Sequence, residues 1–285
     1  MSEQTTACRD VRLKECVGDN MAMQLMAYVR DGDVAGVREC LASSGHGMEA
    51  STQLANDAVL LASELGHNAV LRVLVEEQGL SVDVASVNTE LTGLMLAAIH
   101  GHSAWVRTLL CNGANTEAQE LRSGRTALLC AAEGGEHACV RALLEHGANV
   151  QARDRMGNSA LHYLAWPSLW DRSLNIPTVR NKLDAAHWLL QYELPIDCVN
   201  TADMTPLSLA GTTPWPCGIA RTMFEFLIRK GADINRDADQ AHARTGLLCF
   251  ARQNPNHVED ILIIHASRVN HCHKVQLSRF HSAGS

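Results

Sequence analysis

Aromatic side chains are scarce in this chain of 285 residues, making up 4% of it against 46% apolar residues overall. So few large rings argue against one bulky globular core and suit many small interfaces of alanine and leucine. A single core would also be large for this length, whereas a stack of units grows one unit at a time. A basic excess is missing as well: 24 lysines and arginines face 31 acidic residues. Nucleic-acid binding needs a concentrated basic face, so neither DNA nor RNA is expected as a partner. No uninterrupted apolar run reaches the about 18 residues of a membrane span. The N-terminal stretch MSEQTTACRDVRLKECVGDN carries charges throughout and has no apolar signal core, so no secretory leader is expected. Ten cysteines are scattered, none as C-x-x-C. That favours free thiols in a reducing compartment, an intracellular and chiefly cytoplasmic setting. The phosphate loop G-x-x-x-x-G-K-[ST], the zinc motif H-E-x-x-H and the nucleophile elbow G-x-S-x-G are all absent, so no enzyme and no cofactor is expected.

What is present is a short pattern that returns. From Ser123 to Val150 the chain reads SGRTALLCAAEGGEHACVRALLEHGANV. Thr126 is placed to cap a first helix, because its hydroxyl can accept from a backbone N–H one turn on. Ala127, Leu128, Leu129, Ala131 and Ala132 keep that helix compact and apolar. Gly134 and Gly135 stop it, since glycine takes the left-handed backbone cheaply. Val140, Leu143 and Leu144 then share one face of a second helix, which Gly147 ends. Two short helices cannot bury both faces of their pair alone. The pattern supplies neighbours: stop glycines fall at 32, 66, 101 and 135, intervals of 34, 35 and 34 residues. Such a period marks a stacked repeat array.

Gly124-Arg125-Thr126-Ala127-Leu128-Leu129 stands where ankyrin repeats carry G-x-T-P-L-H. Ala131-Ala132, Gly135, Val140, Leu143-Leu144 and Gly147-Ala148 follow in register, and the unit resembles that family. The resemblance implies an all-α solenoid of about seven helix–turn–helix units with short β-hairpin-like fingers. It also implies a binding scaffold. Residues 1–19 read as a tail or frayed helix, 20–268 as the array and 269–285 as a second tail. The first unit, with Met23, Leu25, Met26 and Val29 facing inward, lacks the threonine-led start, as a terminal unit with one wet face can. In the third unit Glu90 takes the usual turn-glycine position, so a distorted hairpin tip is expected. The fifth unit opens with Gly157-Asn158-Ser159-Ala160-Leu161-His162, and its helices then stand further apart. Thr126 precedes Leu143 by 17 residues, whereas Ser159 precedes Leu189 by 30. The difference is an insertion over about 166–180, expected to leave the stack because proline removes donors. The sixth unit starts Thr205-Pro206-Leu207 and is interrupted over about 213–217. A ragged seventh, Thr245 to Leu262, is expected to cap the array.

His67, His102 and His162 follow the family positions whose rings bond backbone groups of neighbouring turns, and that structural role is expected here. His271, Cys272 and His273, with His265 and His281, invite a metal- or redox-responsive reading of the tail. Adjacent residues share one tetrahedral ion poorly, however, and zinc spacings are missing, so no metal is expected. The finger tips are free to be selected by a partner: Asn88, Thr89 and Leu91; Arg122, Ser123 and Arg125; Arg155, Met156 and Asn158. Ile99, His100 and Glu133 join them from the inner helices. Arginine is favoured at binding hot spots, and three on neighbouring fingers suit an acidic segment through forked hydrogen bonds. Trp166 and Trp170 either anchor a partner or cover core opened by the insertion. The expected function is a monomeric, non-catalytic scaffold that binds another protein through its concave face. A rival is an adaptor recruiting substrates to a larger complex such as a ubiquitin ligase, although residues 269–285 lack the apolar character of such recruiting boxes.

Overall fold

The computed structural model describes residues 21–43, 52–87, 90–166, 176–212 and 219–234, together with 263, 265 and 266. Within them the chain forms six helix pairs: α1 (21–31) and α2 (Val34–Ser43); α3 (Thr52–Leu65) and α4 (Asn68–Arg72); α5 (Gly93–Ile99) and α6 (Ser103–Cys111); α7 (Ala127–Gly134) and α8 (His137–Glu145); α9 (Ala160–Ala165) and α10 (Ile176–Gln191); α11 (Pro206–Thr212) and α12 (Ile219–Lys230). A π-helical turn over Val73–Glu77 extends α4. The expected seventh unit lies outside the described residues, except that 263, 265 and 266 are helical. The expected tails and the 213–217 interruption lie outside them too.

The pairs stack in order. First helices pack on first helices, α3 on α5, α5 on α7, α7 on α9 and α9 on α11. Second helices do likewise, α6 on α8, α8 on α10 and α10 on α12. The buried side chains form one continuous apolar seam from Leu25 to Ile234. Trp105, fully buried, donates its indole N–H to Ser63 Oγ at 3.1 Å, and that hydroxyl donates to the Val59 carbonyl at 2.7 Å. One repeat's buried polar group is thereby satisfied by the next. No helix among the described residues is long and apolar enough to cross a membrane.

The stop glycines do more than end helices. Gly32, Gly66, Gly101 and Gly135 all have φ between +71° and +76°. A Cβ on each would come within 3.0 Å of His67, 2.4 Å of His102, 2.6 Å of Glu136 and 2.9 Å of Lys182, respectively. In three of these seams the residue that opens the next unit's second helix rests on the preceding stop glycine, and in the fourth Lys182 does so from within α10. His67 Nε2 lies 3.0 Å from the Arg30 carbonyl and His102 Nε2 lies 2.9 Å from that of Glu64. This is the backbone-bonding role expected of them.

The insertion obeys the same geometry. Lys182 follows Glu136 by 46 residues where the earlier interval is 34, yet its chain packs on Gly135 as Glu136 packs on Gly101. The helix α10 starts at Ile176, so the last part of the expected excursion is helix within the stack. Pro177 sits in its first turn, where a missing N–H sacrifices no bond.

Capping follows the sequence with one correction. Thr92 Oγ1 accepts from the Met95 N–H at 3.2 Å. Ser159 and His162 form a reciprocal box, as do Thr205 and Ser208. Thr126 makes no cap bond, and its buried hydroxyl has no partner. The residue three positions on is Leu129, which cannot return a bond to the backbone as His162 and Ser208 do, but Met95 holds that place after Thr92, which caps all the same.

The fingers close as short hairpins. Ser86 N–H bonds to the Leu91 carbonyl at 3.0 Å, Glu120 to Arg125 at 2.9 Å, Asp154 to Asn158 at 3.1 Å and Asn200 to Met204 at 3.1 Å. The described residues contain one isolated antiparallel bridge, Ala85 with Thr92. Glu90 leaves the bond that closes its finger intact, residues 88 and 89 of the tip lying outside the described residues. It takes φ +54°, the left-handed conformation that Gly124 and Gly157 hold at +73°, and the hairpin bond survives. A left-handed backbone costs a non-glycine residue about 1–2 kcal/mol. Glu90→Gly is therefore expected to stabilise the chain by about 1 kcal/mol, and Gly124→Ala to destabilise it by about 1–2 kcal/mol. Urea unfolding measures both; a loss of stability in Glu90→Gly would contradict the strain assigned to this tip.

Candidate functional site on the concave face

Fingers and first helices line one side of the stack. The fingers are bonded to one another. The Arg155 N–H donates to the Ser123 carbonyl at 2.8 Å, and the Thr201 N–H and hydroxyl both donate to the Met156 carbonyl at 2.9 Å. Arg153 spans two fingers, donating to the Gly157 carbonyl at 2.8 Å and to that of Val199 at 2.9 Å. Within the fifth finger, the Asp154 carboxylate gathers the N–H groups of Met156 and Asn158, the Asn158 amide and the Tyr163 hydroxyl, all at 2.7–2.9 Å. Asn200 donates to Asn158 at 2.9 Å. These polar groups of the described rim are thus occupied before any partner arrives.

Beneath this rim lies a cleft of about 390 Å³, lined by Glu133, Met156, Asn158, His162, Tyr163, Trp166, Asn200, Ala202, Met204 and Leu209. Three consecutive units contribute to it. Met156 is 60% and Trp166 50% exposed, so its apolar edge faces solvent.

Beside it sits a charge cluster. Arg125 donates from Nε to Glu120 at 2.8 Å and from a terminal nitrogen to Glu133. Ser123 Oγ donates to Glu120 at 2.5 Å. Burial opposes the Arg125 charge, but Glu120 and Glu133 outweigh it and hold the guanidinium firmly protonated. Burial also works against Glu120, yet the Arg125 and Ser123 hydrogen bonds bring its pKa below the usual range. Glu133 is pushed up by burial, which Arg125 offsets only in part.

Ser159, His162 and Cys198 have the composition of a nucleophilic site. Ser159 Oγ is 2.9 Å from His162 Nδ1 and 3.2 Å from Cys198 Sγ. The geometry is that of a cap. His162 Nε2 faces the Met204 carbonyl at 2.9 Å and so carries the proton, leaving Nδ1 to accept from the Ser159 N–H at 3.1 Å; the tautomer is assigned from these partners. Ser159 is fully buried, so no substrate reaches it. Burial lowers the His162 pKa to about 4. Burial likewise pushes the Cys130 and Cys139 thiols up to about 12, which makes both packing groups, since the thiolate is the reactive form.

The family profile for ankyrin repeats (3 copies) matches residues 25–120 and 94–168. Those spans together cover half of the chain. The chain belongs to the ankyrin repeat family. Among solved structures it resembles the human ASB11 ankyrin repeat domain, with a TM-score of 0.59 and 26% sequence identity over 73% of this chain and 82% of that one. A comparison with curated protein sequences finds no match.

The structure sorts the residues expected to contact a partner. Met156, Asn158, Glu133 and Trp166 meet at the main cleft. Arg122 and Arg155 are exposed on adjoining repeat fingers. Leu91 lines a second, N-terminal cleft. Ile99 is half-buried against the ankyrin core, and the His100 ring stacks on His102 with centroids 6.2 Å apart. Asn88, Thr89 and Trp170 lie outside the described residues. Arg125 and Ser123 stand apart from the expectation of freely offered groups. Both are consumed by Glu120, because the hairpin folds that carboxylate back over them. Sequence reasoning did not single out Glu120, Asp154 and Asn200, which hold the fingers. The signal was present, for they recur at 34 and 46 residues, the repeat period without and with its insertion.

Two outcomes follow for this ankyrin face. Arg125→Ala strands two partly buried carboxylates. It is expected to destabilise by about 2 kcal/mol, less than for a fully enclosed pair because one edge meets water; exposed Arg122→Ala should change stability by less than about 0.5 kcal/mol. Equal denaturation midpoints for the two variants would contradict the pairing. His162 is held neutral in the fold, while the unfolded chain protonates it near the usual 6.5. Its contribution is therefore complete above pH 6.5 and lost as pH falls toward 4. The melting temperature should fall less across this window in His162→Gln than in the wild type; parallel profiles would contradict the assignment.

Proposed function

We propose that this ankyrin repeat chain is a non-catalytic scaffold that holds another protein on its concave face. Ankyrin repeats are generally protein–protein interaction modules. The observation that carries the reading here is the main cleft, an apolar hollow of about 390 Å³ with Met156 and Trp166 open to solvent at its mouth. A hollow of this size accepts one large apolar side chain, the kind of anchor that dominates protein interfaces. Arg122 and Arg155 stand exposed beside it. A segment with a large apolar residue flanked by carboxylates fits both features, the ring or branched chain entering the cleft and the acids taking forked bonds from the guanidinium groups. Because the fingers are already bonded to each other, little ordering remains to oppose association.

A photo-crosslinking amino acid placed at Arg155 or Met156 tests this in the native cell. Both concave positions are expected to yield the same discrete protein adduct. Arg72 and Arg229, exposed on second helices, are expected to yield none. Adducts from all four positions alike, or from the second helices only, would contradict the assignment.

A further inference from the structure

A second cleft of about 310 Å³ lies two units toward the N-terminus, between α3, the third finger and α5. Its floor is leucine: Leu60 and Leu61 from α3, Leu91 from the finger, Leu96 from α5. Its remaining lining includes two carboxylates, Asp57 and Glu64, and no basic residue. Asp57 accepts one bond from Gln53 at 2.9 Å. Glu64 is exposed, and among the described residues its hydrogen bond to another repeat is made by its backbone carbonyl, 2.9 Å from His102 Nε2. The main cleft differs in this respect, for its carboxylate, Glu133, already holds Arg125.

We infer that the N-terminal cleft is a separate contact for a basic-aliphatic stretch of the bound protein. The inference rests on the concave-face reading and adds the partner's chemistry to it. Charge complementarity decides the occupant. Asp57, Leu60, Leu61 and Glu64 share one face of α3, and at 1.5 Å per residue the two carboxylates stand about 10 Å apart along it. A polyproline II segment rises about 3.1 Å per residue with three residues per turn, so residues i and i+3 share a face about 9 Å apart. Two lysines or arginines with two aliphatic residues between them match this spacing. The charged ends meet the carboxylates while their methylene stems and the intervening side chains cover the leucine floor. The concave face is then polar along its length. It offers carboxylates at the N-terminal cleft and guanidinium groups beside the main one, so the bound segment has one direction along the stack.

Random 12-residue peptides displayed on phage, selected on the intact chain, test this. The selected peptides are expected to carry basic residues about three apart around aliphatic ones. Labelled copies should bind about tenfold more weakly to the Asp57→Asn/Glu64→Gln variant by fluorescence anisotropy, and more weakly as salt rises. Both substitutions are isosteric and lie outside the core, and an unchanged melting temperature verifies the fold. Equal affinity for wild type and this variant, or selected peptides without basic residues, would overturn the inference. If binding instead falls only in an Arg122→Ala/Arg155→Ala variant, the concave-face reading stands and the basic contact fails. If neither variant alters binding, both fail.

Discussion

The second to fifth repeats are each seated on the one before by a missing side chain. The left-handed glycines at 32, 66, 101 and 135 end a first helix and leave a bare backbone. Onto it come His67, His102, Glu136 and Lys182 from the following unit. The four arriving side chains are chemically unlike, two imidazoles, a carboxylate and an ammonium stem. What the seam demands is therefore space on one side and a side chain of sufficient reach on the other. Everything further out, the alignment of fingers and the floor of the concave face, inherits its position from this contact.

Because the seam sets the spacing between units, the rim can be bonded sideways. Ser123, Arg155, Met156 and Thr201 join three successive fingers through their backbones. Side chains at such tips are free to vary, whereas the groups beneath are not. Asp154 and Glu120 serve the fold, each collecting donors from its own finger. Arg125 belongs with them. Arg122 and Arg155, unlike Arg125 and Arg153 on the same fingers, keep their charge toward solvent, and that division separates scaffold from candidate contact surface.

The period was legible because it is written in glycine, which takes a positive φ without strain. The register even survives the insertion. Lys182 was not readable as a seam residue, because 46 residues separate it from Glu136 and nothing marks the detour as in part helical. Glu90 shows the converse. Its identity suggested a distorted tip, yet it takes the left-handed conformation and the bond that closes the finger is kept. Thr126 has the right type for a cap and fails to form one, although Thr92, with an equally apolar Met95 three positions on, caps its helix. The cleft was half visible. Met156 and Asn158 were candidates at a finger tip, Glu133 on an inner helix and Trp166 at the insertion, while Tyr163, Met204 and Leu209, which complete the lining, were not singled out. Their convergence comes from three units stacked in space, which linear spacing does not display.

The central claim is that each unit leans only on its neighbours and so presents a fixed face. Hydrogen exchange on Gly66→Ala tests it most directly. The new Cβ would lie 2.4 Å from His102, which strains the single seam between the second and third repeats. The account predicts faster exchange in α3 to α6 with protection in α9 to α12 retained. A uniform loss of protection through all helices would show one indivisible core and contradict it.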